Sequence, residues 1–150
     1  MTSKRPVVVD GHGLPIGLHL SSGNAADVSE ASTVLATIRV PRLRGRPRSR
    51  PGGLAADRGY DSRAFRQALA RRGIRHSLPR RRSVHRRQRG RPPLVHPVLS
   101  GNRWKVERFF AWLNGFRRLA VRYERYAFMH LALLHLAAAF ITLRHFCNDL

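Results

Sequence analysis

Eight carboxylates are set among 29 lysines and arginines, and most of the eight have ordinary explanations. Asp149 is near the terminus. Glu30 and Asp61 stand where helices begin and suit capping and dipole roles. Asp27 suits a loop or cap, and Glu124, beside Tyr123 and Arg125, suits a surface pair with Arg122 or Arg125. That leaves Asp10, Asp57 and Glu107. Asp57 follows Leu54-Ala55-Ala56 at the carboxyl end of a short strand, where open α/β sheets gather their ligands. Glu107 lies in a helical stretch among Arg103, Lys105 and Arg108. A carboxylate at a strand end, a second on a later helix and an arginine surplus suit one chemistry above others. Two such groups can hold Mg²⁺ for in-line attack on a phosphodiester while the cations hold the backbone phosphates. The blander alternative pairs Glu107 with Arg103 or a helix neighbour.

The charge narrows the class of partner. A formal +21 over 150 residues, nearly all of it from arginine, is expected of a chain that meets polyanions. The competing readings are a plain nucleic-acid binder that makes no use of Asp57 and Glu107, or arginine loops that are merely solvated surface. One cysteine, Cys147, excludes an internal disulfide and a cysteine-rich metal site. The N-terminus has no signal-peptide pattern. The apolar stretch from Leu131 to Leu143 falls short of the ~20 residues that span a bilayer. A soluble, intracellular protein of one domain is expected.

Several elements would have to position these residues. Pro6 to Leu20 (PVVVDGHGLPIGLHL) reads as a β-hairpin turning at Asp10-Gly11-His12-Gly13. Asp27 or Ser29 would cap a helix running to about Leu35–Ile38. Residues 39–53 hold six arginines with prolines and glycines, and 80–93 form a second basic run; both read as loops. Between them, a strand at Leu54–Ala56, a helix from Arg63 to Arg72 stopped by Gly73, and a strand at Ile74–Leu78 predict a βαβ unit in a mixed α/β layer. From Arg103 to Arg125 apolar residues recur every three or four positions, predicting a helix that buries Trp104, Phe109, Trp112 and Leu113. A second, wholly buried helix follows Tyr126, with His130 and His135 as packing residues.

Three segments, VVVDGHGLPIGLHLSSGNAAD, LAADRGYDS and RWKVERFFAWLNGFRRLAVRYER, closely resemble bacterial insertion-sequence transposases of the DDE class. The resemblance is to the branch whose motif is Tyr-x2-Arg-x3-Glu-x6-Lys, and it runs from about Lys4 to Phe146. It implies a ribonuclease-H-like mixed sheet flanked by helices, a Mg²⁺ (or Mn²⁺) site, and cleavage and joining of DNA strands at element ends. Asp57 then matches the second catalytic aspartate, Glu107 the catalytic glutamate and Arg103 the motif arginine. Arg58, Arg103, Lys105 and Arg108 are the expected DNA contacts. The motif tyrosine and lysine fall on Ser100 and Asn114, which depart from the pattern.

Asp10 ends a strand too, and spacing alone would select it as the first catalytic acid. In the family that acid lies on an earlier strand, so Asp10 matches the hairpin turn instead. The resemblance therefore implies a chain lacking its first strand, first metal ligand and N-terminal DNA-binding region. Such a chain is a decayed copy or the downstream half of a frameshifted pair, weak or inactive alone. The alternative is a non-catalytic DNA-binding protein derived from a transposase. A dimer when complete, a bacterial cytoplasmic and nucleoid location, and no membrane association complete these expectations.

Overall fold

The computed structural model describes residues 3–80 and 97–148. Most of the second basic run, and Asp149, lie outside the described residues. Two short strands, β1 (Ser3–Lys4) and β4 (Ser21–Ser22), pair antiparallel and enclose the hairpin of β2 (Val7–Val9) and β3 (Pro15–Leu18). The helix α1 (Asp27–Ala36) follows. Then β5 (Gly53–Ala55), a 3-10 turn at Arg58–Tyr60, α2 (Arg63–Arg71) and β6 (Arg75–Ser77) form the expected strand–helix–strand unit. β5 and β6 are parallel, with Leu54 opposite His76. Four helices complete the chain: α3 (Pro97–Gly101), α4 (Trp104–Asn114), α5 (Arg117–Ala120) and α6 (Ala127–Asn148).

Strand alternation in the hairpin decides the layers, because successive side chains point to opposite faces. Val7, Val9 and Leu18 pack with Phe109 and Leu113 of α4, Leu119 of α5, and Leu134, Ala137 and Ile141 of α6. Val8 and Ile16 face the other way, onto a core of Ala31 and Leu35 from α1, Ile38 just after it, and Phe65 and Leu69 from α2. Leu54 and Ala56 rest on that same second core. Sheet thus lies between two helical layers. Gly17 lets β3 approach α1 closely, since a Cβ there would meet the Val34 carbonyl oxygen at 3.1 Å. Gly73 stops α2 as expected: its φ of +64° reverses the chain, and the Ile74 amide donates back to the Leu69 carbonyl.

Among the described residues the hairpin and the parallel pair are separate two-stranded sheets, with no ladder joining them. β2 and β5 therefore each have one edge without a ladder partner.

Several expectations change in detail. α1 begins at Asp27, and Ala26 is its N-cap with no side-chain bond; Asp27 instead pairs with Lys4 at 2.9 Å. Of the two candidates for the cap of α2, Asp61 and Ser62, the N-cap is Ser62, without a side-chain bond, and Asp61 pairs with Arg66 at 2.8 Å. Glu124 pairs with neither Arg122 nor Arg125: its carboxylate meets His130 at 3.3 Å and Arg118 at 3.9 Å, largely out of solvent. Trp104 and Trp112 are partly exposed, because the helical face at 104, 108 and 112 stands one residue round from the buried Phe109–Leu113 stripe. The two indoles flank Arg108, whose guanidinium carbon sits 4.7 and 4.9 Å from their ring centres. α6 is not wholly buried either, for Phe128, Met129, Leu136, Phe140, Leu143 and Phe146 are exposed. At 22 residues it is also long and apolar enough to cross a membrane, unlike the shorter stretch the sequence suggests, yet one face is occupied by the core.

Candidate active site

Asp57 and Arg103 meet where β5 ends and α4 begins, and Glu107 follows on the same helix. β5 ends at Ala55, and Asp57 turns the chain two residues on. The Asp57 carboxylate caps the 3-10 turn, with Oδ1 accepting the Arg58 amide at 2.6 Å. The same oxygen accepts from Arg103 Nη2 at 3.1 Å. Arg103 is the N-cap residue of α4, so its position depends on how that helix starts. α3 sets the start. Ser100 of α3 hydrogen-bonds Ser77 of β6 through their hydroxyls at 2.8 Å, and Leu99 lies against Gly53 of β5. A side chain at residue 53 would meet Leu99 at 3.0 Å, so the glycine permits this close seat.

Glu107 lies four residues beyond Arg103, one turn along the same helical face. It is exposed and makes no hydrogen bond or ion pair among the described residues. Arg103 thus pairs with the strand-end aspartate and leaves Glu107 open. Asp57 is open too, with 64% of its side chain in solvent. Burial and the charges of Asp27 and Asp57 raise the pKa of the half-buried Tyr60 phenol, so that ring senses the Asp57 charge.

The remaining basic residues divide. The Arg58 side chain is exposed. Lys105 Nζ donates to the Gly11 carbonyl, and Arg108 Nη2 donates to the His12 carbonyl at 2.5 Å. Both therefore hold α4 against the hairpin turn. Asp10 belongs to that turn: its Oδ1 accepts the amides of His12 and Leu14 at 2.8 and 2.9 Å. The first basic loop is exposed from 41 to 50, tied by one bridge between Val40 and Arg48. Sequence reasoning missed the Ser77–Ser100 tie and the double clasp on the hairpin turn. The turn glycines at 11 and 13 were a visible signal that side chains could approach the backbone there.

Hard oxygen donors of the kind Mg²⁺ or Mn²⁺ takes are present at Asp57 and Glu107, and both are accessible. No group of three or more His, Cys, Asp or Glu gathers among the described residues, so these two form an incomplete donor set.

The fold is thus a mixed α/β arrangement with an acid at a strand end and a second on a later helix. The profile of the transposase DDE domain matches residues 1–141, and the chain belongs to that family. It is 40% identical over 140 residues to a transposase of insertion sequence element IS402 from Burkholderia cepacia. It is 30% identical over 148 residues to that of IS6501 from Brucella ovis. The alignments cover 93% and 96% of this chain, 62% of the first relative and 100% of the second. The chain thus spans less than two thirds of the IS402 protein. No solved structure matches it.

Proposed function

We propose that this chain forms part of a ribonuclease-H-like transposase core, of the branch with the Tyr-Arg-Glu-Lys motif, that cleaves and joins DNA at insertion-sequence ends. The observation that carries this reading is the 3.1 Å contact of Arg103 with Asp57, which brings the Arg-x3-Glu helix against the strand-end acid. Asp57 and Glu107 are the metal-holding carboxylates. When bound there, Mg²⁺ or Mn²⁺ supplies Lewis acidity toward phosphoryl oxygens and activates the attacking hydroxyl. Arg103 orients Asp57 and offsets charge between the two acids, while Arg58 and the loop arginines meet the DNA backbone. Ser100 and Asn114 supply neither the phenol nor the ammonium of the motif.

The third carboxylate comes from a further strand, because Asp10 is committed to its turn. That strand would join β2 to β5 over the core they share through Val8, Leu54 and Ala56, completing one sheet. The chain alone is accordingly a weak enzyme.

The test supplies the missing part. The chain is mixed with the portion of the IS402 protein that it does not span, and nicking of duplex DNA bearing element ends is followed with Mg²⁺ or Mn²⁺. Metal-dependent cleavage only in the mixture, lost with Asp57→Asn or Glu107→Gln, supports the reading. Cleavage indifferent to both substitutions overturns it. The rival, a non-catalytic DNA binder, draws on the exposed arginines of 39–50; it predicts DNA affinity that falls steeply with salt and no cleavage in any mixture.

A further inference from the structure

The first basic loop is more than a solvated run of arginines. Val40 and Arg48 exchange two backbone hydrogen bonds, at 3.0 and 2.8 Å, and close a tip of seven residues, Pro41-Arg42-Leu43-Arg44-Gly45-Arg46-Pro47. Its base is tied to the fold from both sides. Arg39 Nη1 donates to the Ala36 and Ile38 carbonyls at the end of α1, at 3.1 and 2.8 Å. Arg50 Nη1 donates to the Arg72 carbonyl at the end of α2, at 3.2 Å. The four arginines between them, Arg42, Arg44, Arg46 and Arg48, are exposed and make no side-chain hydrogen bond or ion pair among the described residues. Gly45 turns the tip with a φ of +85°, and a Cβ there would meet nothing within 4 Å. Packing inside the protein therefore does not call for the bare backbone at this point. Leu43 is wholly exposed as well.

We propose that this tip enters the minor groove of A·T-rich duplex DNA, with Arg44 and Arg46 on the groove floor and Arg42 and Arg48 on the phosphates at its rims. The inference goes beyond the transposase reading: it assigns the base composition the chain prefers, and it concerns binding alone, whether or not the chain cleaves. The shape of the groove selects this ligand. A minor groove is about 6 Å wide, so a segment that enters it needs a thin point. Gly45 supplies that point between two guanidinium groups. A·T pairs show only acceptors there, adenine N3 and thymine O2, which suit a group that only donates. A G·C pair sets the guanine amino group, itself a donor, in the same place. A·T tracts also narrow the groove and strengthen its negative potential, which draws arginine in. Leu43, with no core to join, can lie against the sugar walls. The closed base helps too, because a tip held at both ends loses less conformational freedom on binding than a free arginine run. The major groove, about 12 Å wide, suits a helix or a ribbon and leaves so small a tip without walls. Duplex RNA is a poorer occupant, since its minor groove is wide and shallow.

Fluorescence anisotropy with short labelled duplexes, at about 0.15 M NaCl, tests the proposal. The sequence repeats the four residue types of the tip at Arg89-Gly90-Arg91-Pro92, so every protein compared carries Arg89→Ala and Arg91→Ala. Expected is binding at least about 10-fold tighter to a duplex with a central A·T tract than to one with a central G·C tract. A duplex with inosine in place of guanosine lacks the minor-groove amino group but keeps the major-groove edge, and should bind as the A·T duplex does. Arg44→Ala with Arg46→Ala should abolish the preference. Arg42→Ala with Arg48→Ala removes the same two charges, and should weaken both duplexes alike while lowering the salt slope by about 2. Equal affinity for the A·T and G·C duplexes would reduce the loop to a contact of charge alone and overturn the proposal. An inosine duplex bound like the G·C duplex would overturn it in favour of the major groove. Duplex RNA bound as tightly as A·T DNA, or a preference that both arginine pairs affect equally, would overturn it too. Cleavage lost or kept in Asp57→Asn bears on the catalytic reading only.

Discussion

The hairpin turn at Asp10 and the end of β5 at Asp57 use similar residues to opposite ends. Each places an aspartate after a short apolar strand and close to a glycine. At the turn, Oδ1 of Asp10 takes two amides of its own loop, and Lys105 and Arg108 cover the neighbouring carbonyls. At β5, Asp57 takes one amide and one guanidinium and remains mostly exposed. One aspartate builds structure and the other is left available for chemistry. The difference lies in the loop that follows. The turn from Gly11 to Leu14 folds back so that the amides of His12 and Leu14 converge on the carboxylate, whereas Arg58-Gly59-Tyr60 runs into a 3-10 turn that presents only its first amide.

That contrast breaks most sharply under substitution. Asp57→Asn should lower cleavage by the completed protein more than about 100-fold, beyond what loss of an outer-sphere metal partner costs. Its urea midpoint should stay within about 0.5 kcal/mol of wild type. Asp10→Ala should do the reverse, costing about 1–3 kcal/mol in urea unfolding through two lost bonds to backbone amides. Equal stability losses at both sites would erase the distinction. Gly13→Ala should destabilise the turn by roughly 1–2 kcal/mol. Its φ is +89°, and a Cβ would come 2.8 Å from the Arg108 guanidinium.

Two smaller effects sharpen the picture. Glu124 has a lowered pKa, first through its backbone amide and then through His130 and Arg118. Its contribution to stability is present above the ordinary carboxylate pKa of about 4.3 and is lost as pH falls below that. Glu124→Gln should therefore flatten the acid limb of a stability–pH curve. Tyr60 should titrate at lower pH in Asp57→Asn, or when Mg²⁺ neutralises Asp57, as followed by tyrosinate absorbance. A Tyr60 titration blind to both would separate that ring from the site.

Much of the frame is legible in the residues. The valine run and the Asp-Gly-His-Gly turn define the hairpin, Gly73 ends α2, and short strands bracket α2 as a parallel unit. These are local signals, set by allowed backbone angles and by side-chain periods of two and 3.6. The tryptophans misled because a count of apolar residues three or four apart does not distinguish two adjacent faces of one helix. In α4 the narrow buried stripe is Phe109–Leu113, and Trp104 and Trp112 clasp an arginine beside it. α6 misled for a related reason: it is apolar all round, so its sequence alone does not say which face the core takes.

By itself the sequence determined the cationic character and the order of strands and helices. Only the tertiary structure decided which partners those charges take. Arg103 turned from Glu107 on its own helix to Asp57, 46 residues away in the chain, because Ser77, Ser100 and the bare backbone of Gly53 seat α3 where α4 must begin above β5. Lys105 and Arg108 were likewise drawn to the carbonyls of a turn more than ninety residues earlier. Backbone propensity acts over a few residues, whereas the pairing of charges depends on which surfaces the core brings within hydrogen-bonding reach.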